Sequence, residues 1–212
     1  MTYTEIKNNK LNKYQNLRSS LKQSLNNILN ISIIPVLVKL KITANTITIL
    51  GLALAIFTML LIIQGKLLLS GIMIIISSLF DLIDGALARY TKSDSISGGF
   101  FDAVIDRISE SVIYLGLIIF FLDDSRTVVI IILIALINQL VSYVKAKYES
   151  YGIKGEVGIF TRTERIIILS ISLIAGSINL FILYVLLYFS ILLSLISMVQ
   201  RIIYGLLETK NK

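Results

Sequence analysis

Charge is missing from this chain in long blocks. Residues 42–65 hold no charged side chain, and these 24 positions are enough for one tilted bilayer span. After Lys66 a second apolar stretch covers 67–88, and beyond a polar break a third covers 99–122. Residues 127–144 form a fourth uncharged block, entered through the turn Asp123-Asp124-Ser125-Arg126. The last block, 166–200, has 35 uncharged residues. As one helix it would measure about 52 Å against a hydrocarbon core of about 30 Å, so it must fold back. Gly176, Ser177, Ile178 and Asn179 supply the turn. The pattern predicts an all-α integral membrane protein with six transmembrane helices at about 43–64, 67–89, 98–122, 126–148, 160–178 and 180–204. These spans make up one domain over 42–207, followed by a cytoplasmic tail at 208–212.

Residues 1–41 form a polar, basic juxtamembrane segment without the short apolar core of a cleaved signal. Within it Leu11, Tyr14, Leu17, Leu21, Leu25 and Ile28 recur at helical spacing, with Lys13, Arg18 and Lys22 off the stripe. An amphipathic interfacial helix is expected there, broken or kinked by Pro35 before the first span. Six spans place both termini and the loops around Arg89 and Lys147 on one side. That side holds 18 of the 20 Lys and Arg, since only Lys66 and Arg126 fall opposite. The positive-inside rule makes it the cytoplasmic face of a multi-pass protein of the cell membrane.

Composition narrows the chemistry further. Of 212 residues, 56% are hydrophobic and 16% charged, against about 25% charged in soluble domains. The chain has no His and no Cys, which removes imidazole bases, thiol nucleophiles, disulfides and nitrogen–sulfur metal sites. Carboxylates, hydroxyls and cations remain. In so apolar a chain the net charge of +7 points to cytoplasmic loops and anionic partners, with no nucleic acid.

The carboxylates interrupt the second and third blocks. Asp81 and Asp84 are three apart, Asp102 and Asp106 four apart, so each pair projects from one helix face. Four acids at membrane depth repel one another and lose hydration, which is tolerable only around cations or in a wet cavity. Hard divalent ions such as Mg²⁺ or Mn²⁺ suit oxygen ligands, and two of them can bridge carboxylates and a diphosphate. Gly85 and Ala88 leave room for a ligand beside them, and Arg89 offers a planar donor fork to phosphate.

Read in order, Asp81, Asp84, Gly85, Ala88, Arg89, Gly98, Asp102 and Asp106 match the pattern D-x2-D-G-x2-A-R-x8-G-x3-D-x3-D in full. The segment resembles the signature of the CDP-alcohol phosphotransferases. That resemblance implies six transmembrane helices, a homodimer, an active site open to the cytoplasm, and transfer of a phosphatidyl-type group from a CDP-lipid to an alcohol with release of CMP. It also implies that Asp81, Asp84, Asp102 and Asp106 hold two Mg²⁺ or Mn²⁺ ions and that Asp106 deprotonates the attacking hydroxyl. By the same resemblance Asp81, Gly85, Ala88, Arg89 and Gly98 line the CDP-lipid site. The segment 42–48 resembles the family's T-P-N-x-hydrophobic-T entry with Ala44 in place of proline, which would bring Asn45 and Thr48 to the nucleotide. Helix capping by Thr43 or Asn45 accounts for the same residues.

Two further segments bear on the acceptor. Ser142-Tyr143-Val144-Lys145-Ala146-Lys147-Tyr148-Glu149 and Gly158-Ile159-Phe160-Thr161-Arg162-Thr163-Glu164-Arg165 look like the SY-hydrophobic-R/K-A-R-A-E and G-hydrophobic-A-E-R-A-E-R stretches of the inositol-phosphate branch, which contains archaetidylinositol phosphate and phosphatidylinositol phosphate synthases. Asp106-Arg107 and the basic Arg201 fit the same branch. The implied acceptor-phosphate ligands are Arg107, Lys145, Lys147, Arg162, Arg165 and Arg201. For Lys147, Lys154 and Arg162 the bland account is a positive anchor on the cytoplasmic face. Lys for Arg, Tyr148 for a small residue and Thr161 for Glu are departures from the branch pattern.

The expected activity is transfer from CDP-archaeol or CDP-diacylglycerol to 1L-myo-inositol 1-phosphate. Glycerol 3-phosphate is the alternative acceptor. A small ion or proton transporter is the rival class, because intramembrane acids also serve transport.

Overall fold

The computed structural model describes Leu29 and residues 33–93, 95–153, 155 and 157–210. The expected amphipathic helix over 11–28 lies outside the described residues, as do Lys154 and the last two residues. All regular structure among the described residues is helical. The helices are α1 (Ile34–Lys39), α2 (Ala44–Ile63), α3 (Leu67–Tyr90), α4 (Ile96–Phe120), α5 (Ser125–Ser150), α6 (Arg162–Gly176) and α7 (Leu180–Lys210). Pro35, expected as a breaker, stands in the first turn of α1, where its missing N–H forfeits no helical hydrogen bond.

Local chemistry sets the helix starts. Thr43 caps α2 by accepting from the Thr46 N–H at 3.3 Å, and Ser95 caps α4 by accepting from the Gly98 N–H at 3.0 Å. Asp124 accepts from the N–H groups of Arg126 and Thr127 at the head of α5. Those bonds, with the Thr127 hydroxyl, hold the Asp124 carboxyl below its ordinary range. Thr161 and Glu164 form a reciprocal capping box at α6.

Among the described residues four helices, α2, α3, α5 and α7, are long and apolar enough to cross a membrane, which makes the chain a multi-pass membrane protein. The other two long elements differ for a reason. α4 has 25 residues and carries Asp102, Asp106, Arg107 and Glu110 within its first 15. α6 has 15 residues, about 22 Å of rise, and opens on Arg162 and Arg165.

The helices pack as a closed ring in the order α3, α6, α7, α5, α4, α2 and back to α3. Its apolar interior is made by Ala55, Ile62, Ile74, Leu117, Ile134 and Leu173, while Phe57, Leu136 and Phe181 stay exposed on the outer face. Small residues permit two close crossings. A Cβ on Gly71 of α3 would fall 2.8 Å from the Ser170 carbonyl of α6, and the Ser170 hydroxyl donates to the Gly71 carbonyl at 2.8 Å. Gly116 of α4 likewise lies against the backbone of Met59 in α2. The α3 and α4 helices both lean on α2 and open a cleft at the end where α3 stops and α4, α6 and α2 begin.

Candidate active site

The acidic wall of this cleft comes from two antiparallel helix ends joined by residues 91–95. Helical spacing turns each Asp pair to one face, and the short connection brings the faces together. One carboxylate oxygen each from Asp81, Asp102 and Asp106 lie within 4.8 Å of one another. Oδ1 of Asp102 is buried and has no hydrogen-bond donor among the described residues. A cluster of hard oxygens with an orphaned lone pair fits a divalent cation. Asp84 stands outside this trio. It is buried and accepts from the Thr48 hydroxyl at 2.8 Å, although both residues line the same cleft as Asp81, Asp106, Ser77 and Arg162.

The basic wall is assembled from α4, α5, α6 and α7. Arg162, in the first turn of α6, reaches across the cleft: Nη1 lies 3.0 Å from Asp81 and Nη2 2.6 Å from Asp106. Its Nε is buried and has no acceptor among the described residues. Arg165, one turn deeper and 2% exposed, faces Glu110 instead, donating from Nε at 3.1 Å and Nη2 at 3.2 Å to the two carboxylate oxygens. Its Nη2 also donates to the Ser142 hydroxyl at 3.3 Å. Arg107 donates to the same hydroxyl, with Asp106 at 3.8 Å and Glu110 at 4.0 Å from its guanidinium.

Arg201 is buried against the segment between α5 and α6. It donates to the carbonyls of Val157 at 2.9 Å and Val141 at 2.7 Å. Gln200 accepts from the Ile159 N–H, and the Ser197 hydroxyl donates to the Phe160 carbonyl, so one face of α7 clamps residues 157–160. Gly158, at φ +108°, sits so close to Ser197 and Arg201 that a side chain would collide with both. The clamp delivers Thr161, and with it Arg162, to the cleft.

The remaining predicted residues lie nearer the surface. Lys145 is half-buried and pairs with Glu149 at 3.6 Å, and exposed Lys147 lies over the Tyr151 ring at 5.0 Å. Asn45 is exposed in the first turn of α2, where Thr43 provides the cap. Arg89 folds its guanidinium toward Gly85, where a Cβ would lie 3.2 Å from Nη1. Ala88 is half-buried in the same last turns of α3, and Gly98 caps against Ser95. The sequence reading gave no role to Glu110, although it lies one turn beyond Asp106 on the same helix face. That i, i+4 spacing was the available signal.

A sequence model described as CDP-alcohol phosphatidyltransferase matches residues 41–205. The phosphatidylinositol phosphate synthase of Mycobacterium tuberculosis (strain ATCC 25618 / H37Rv) is 37% identical over 141 residues, covering 62% of this chain and 63% of that one. The chain thus spans less than two thirds of that relative's length. The archaetidylinositol phosphate synthase of Methanothermobacter thermautotrophicus is 38% identical over 114 residues, covering 53% of this chain and 56% of the other. Crystal structures of the M. tuberculosis phosphatidylinositol phosphate synthase superpose well. The complex with manganese and citrate gives a TM-score of 0.77 at 28% identity, over 83% of this chain and 88% of that one. The form with CDP-DAG bound gives 0.77 at 29%, over 84% and 93%. Sequence match and helix arrangement agree on one kinship, and the chain belongs to the CDP-alcohol phosphatidyltransferase family.

Proposed function

We propose that the protein is a membrane-embedded synthase that moves a phosphatidyl- or archaetidyl-type group from a CDP-lipid to inositol 1-phosphate and releases CMP. The observation that carries the reading is the meeting of three aspartates with Arg162 in one cleft, an acidic site for a cation-bound diphosphate beside a cationic one for an anionic acceptor. Relatives named for inositol phosphate lipids and a related structure with CDP-DAG bound support it.

Asp81, Asp102 and Asp106 would hold divalent metal, Mg²⁺ or Mn²⁺, with Asp84 steered by Thr48 as a further ligand. Two such ions neutralise charge on the diphosphate and favour CMP as leaving group. The chain's own residues do the rest. Asp106 takes the proton from the acceptor hydroxyl onto a carboxylate oxygen, and it can do so because that hydroxyl is held within hydrogen-bond reach. The hydroxyl oxygen then displaces CMP in line at the lipid-side phosphorus. The buried Nε of Arg162 has no acceptor among the described residues, and once metal holds Asp81 and Asp106 the two Nη groups that now bond them would be free for the acceptor phosphate, with Arg107 and Lys145 adding charge at the edge. Arg165 and Arg201, buried against Glu110 and backbone carbonyls, shape this pocket from behind. Lys147 remains at its rim. Asn45, Gly85, Ala88, Arg89 and Gly98 would surround the CDP end.

The same reading has α4 and α6 crossing beside the four long apolar helices, six spans in all, with the cleft and both termini cytoplasmic in a plasma-membrane homodimer. The test is CMP release by purified protein supplied with CDP-diacylglycerol or CDP-archaeol and Mg²⁺, comparing inositol 1-phosphate, glycerol 3-phosphate, serine and free inositol, with a chelator control. Chelator-sensitive release with inositol 1-phosphate is expected. Preference for glycerol 3-phosphate moves the acceptor and keeps the chemistry, and no release with any pair refutes the reading.

A further inference from the structure

Glu110 occupies no position of the eight-residue signature, yet it is a fifth carboxylate inside the bundle, 5% exposed. It stands where the polar cleft ends and the apolar core begins. Arg165 and Arg107, both bonded to Ser142, face it on one side, and with Ile74, Ile113 and Leu169 of the apolar core it lines one cavity. Burying such a pair is costly, and an apolar pair of similar volume often serves stability equally well. Stability alone therefore does not account for it.

What the pair supplies is geometry. Two parallel donor–acceptor bonds to one carboxylate tie the height and rotation of α6, already seated on α3 through Ser170 and Gly71, to α4 as well. Arg162 lies three residues before Arg165 and so nearly above it on the same face. A helix whose rotation is locked at Arg165 presents Arg162 to Asp81 and Asp106, and a rotation of one residue, about 100°, would turn it away. Ser142 bridges Arg165 to Arg107, so the same bolt restrains the arginine beside Asp106.

We infer that Glu110 is a positioning residue for the acceptor site, acting through Arg165 to hold Arg162 over the carboxylates. The inference rests on the functional reading above for its kinetic test, and a binding measurement judges it separately. The Asn138 amide donates to the Tyr114 hydroxyl at 2.8 Å and Ser194 donates to Asn138 at 2.7 Å, an equally buried network that touches no signature residue. It serves as the control.

Glu110→Gln, Tyr114→Phe, Arg162→Lys and the double variant Glu110→Gln/Arg162→Lys are compared in full-length protein. Glu110→Gln should raise the acceptor KM at least tenfold while the KM for CDP-lipid stays within threefold. Tyr114→Phe should lower the melting temperature and leave both constants within twofold. The double variant should match Arg162→Lys alone within twofold, because the two act on one group. Multiplied effects in the double variant would overturn the inference. Manganese titration followed by electron paramagnetic resonance needs no acceptor, and Glu110→Gln should tighten Mn²⁺ binding severalfold, because the Arg162 guanidinium no longer competes for Asp81 and Asp106, while Tyr114→Phe leaves it unchanged. If the wild type releases no CMP with any acceptor, the functional reading fails alone, and an unchanged Mn²⁺ affinity in Glu110→Gln then overturns the role of Glu110. Where Glu110→Gln does not fold, Arg165→Lys keeps the charge and loses the two-pronged geometry. An acceptor KM and Mn²⁺ affinity both at wild-type values in that variant overturn the inference too.

Discussion

On the acidic side of the cleft, residues three and four apart on two helix ends bring three aspartate oxygens within 4.8 Å of one another. On the basic side, six cations come from α4, α5, α6 and α7, and among the described residues two of them pair with a signature aspartate, Arg162 at 3.0 and 2.6 Å and Arg107 more loosely at 3.8 Å. Lys145 and Lys147 are met by Glu149 and Tyr151, Arg165 by Glu110, and Arg201 by two carbonyls. The difference follows from what each group tolerates. Clustered carboxylates repel and need a cation brought from elsewhere, whereas a guanidinium stays charged when buried and can bond several acceptors at once. The acids are thus placed for a ligand, and most of the cations are placed for the fold.

The comparison can be broken most sharply at Asp106. Asp106→Asn should cut turnover by roughly a thousandfold, within the range of general-base catalysis. Thermal stabilisation by CDP-lipid should survive, and retained turnover in a CMP-release assay would remove Asp106 as base. Arg165→Ala comes next, since it strands a buried carboxylate. It should cost about 3–5 kcal/mol, read as a lowered midpoint in detergent unfolding. Glu110→Leu/Arg165→Met should recover most of that stability without recovering the acceptor KM. Recovery of both would make the pair merely structural.

Arg201→Ala should have a smaller effect, freeing residues 157–160 from α7. A several-fold rise in acceptor KM and faster proteolytic nicking between α5 and α6 are expected. A raised KM with unchanged nicking would instead make Arg201 a direct phosphate ligand. Lys147→Ala should be the mildest, with all constants within twofold, and a large loss would return Lys147 to the site.

The acidic wall was legible because each Asp pair depends only on helix periodicity. The turn at 176–179 was legible because 35 apolar residues exceed the bilayer. The basic wall was not. Arg162 and Arg165 share a helix face and a charge, and nothing in their spacing shows that one meets Asp106 and the other Glu110. The bonds of Arg201 to two backbone carbonyls leave no mark in the residue pattern.

By itself the sequence determined that the chain is helical and apolar, that its charges gather near one end of the helices, and that its acids sit in two pairs at helical spacing. These follow from local periodicity and from the cost of charge in hydrocarbon. Only the tertiary structure decided which cation enters the cleft, because that depends on how α6 is rotated against α4. That rotation is shared among the seat of α6 on α3 at Ser170 and Gly71, the pairing of Arg165 with Glu110, 55 positions away, and the α7 clamp on residues 157–160.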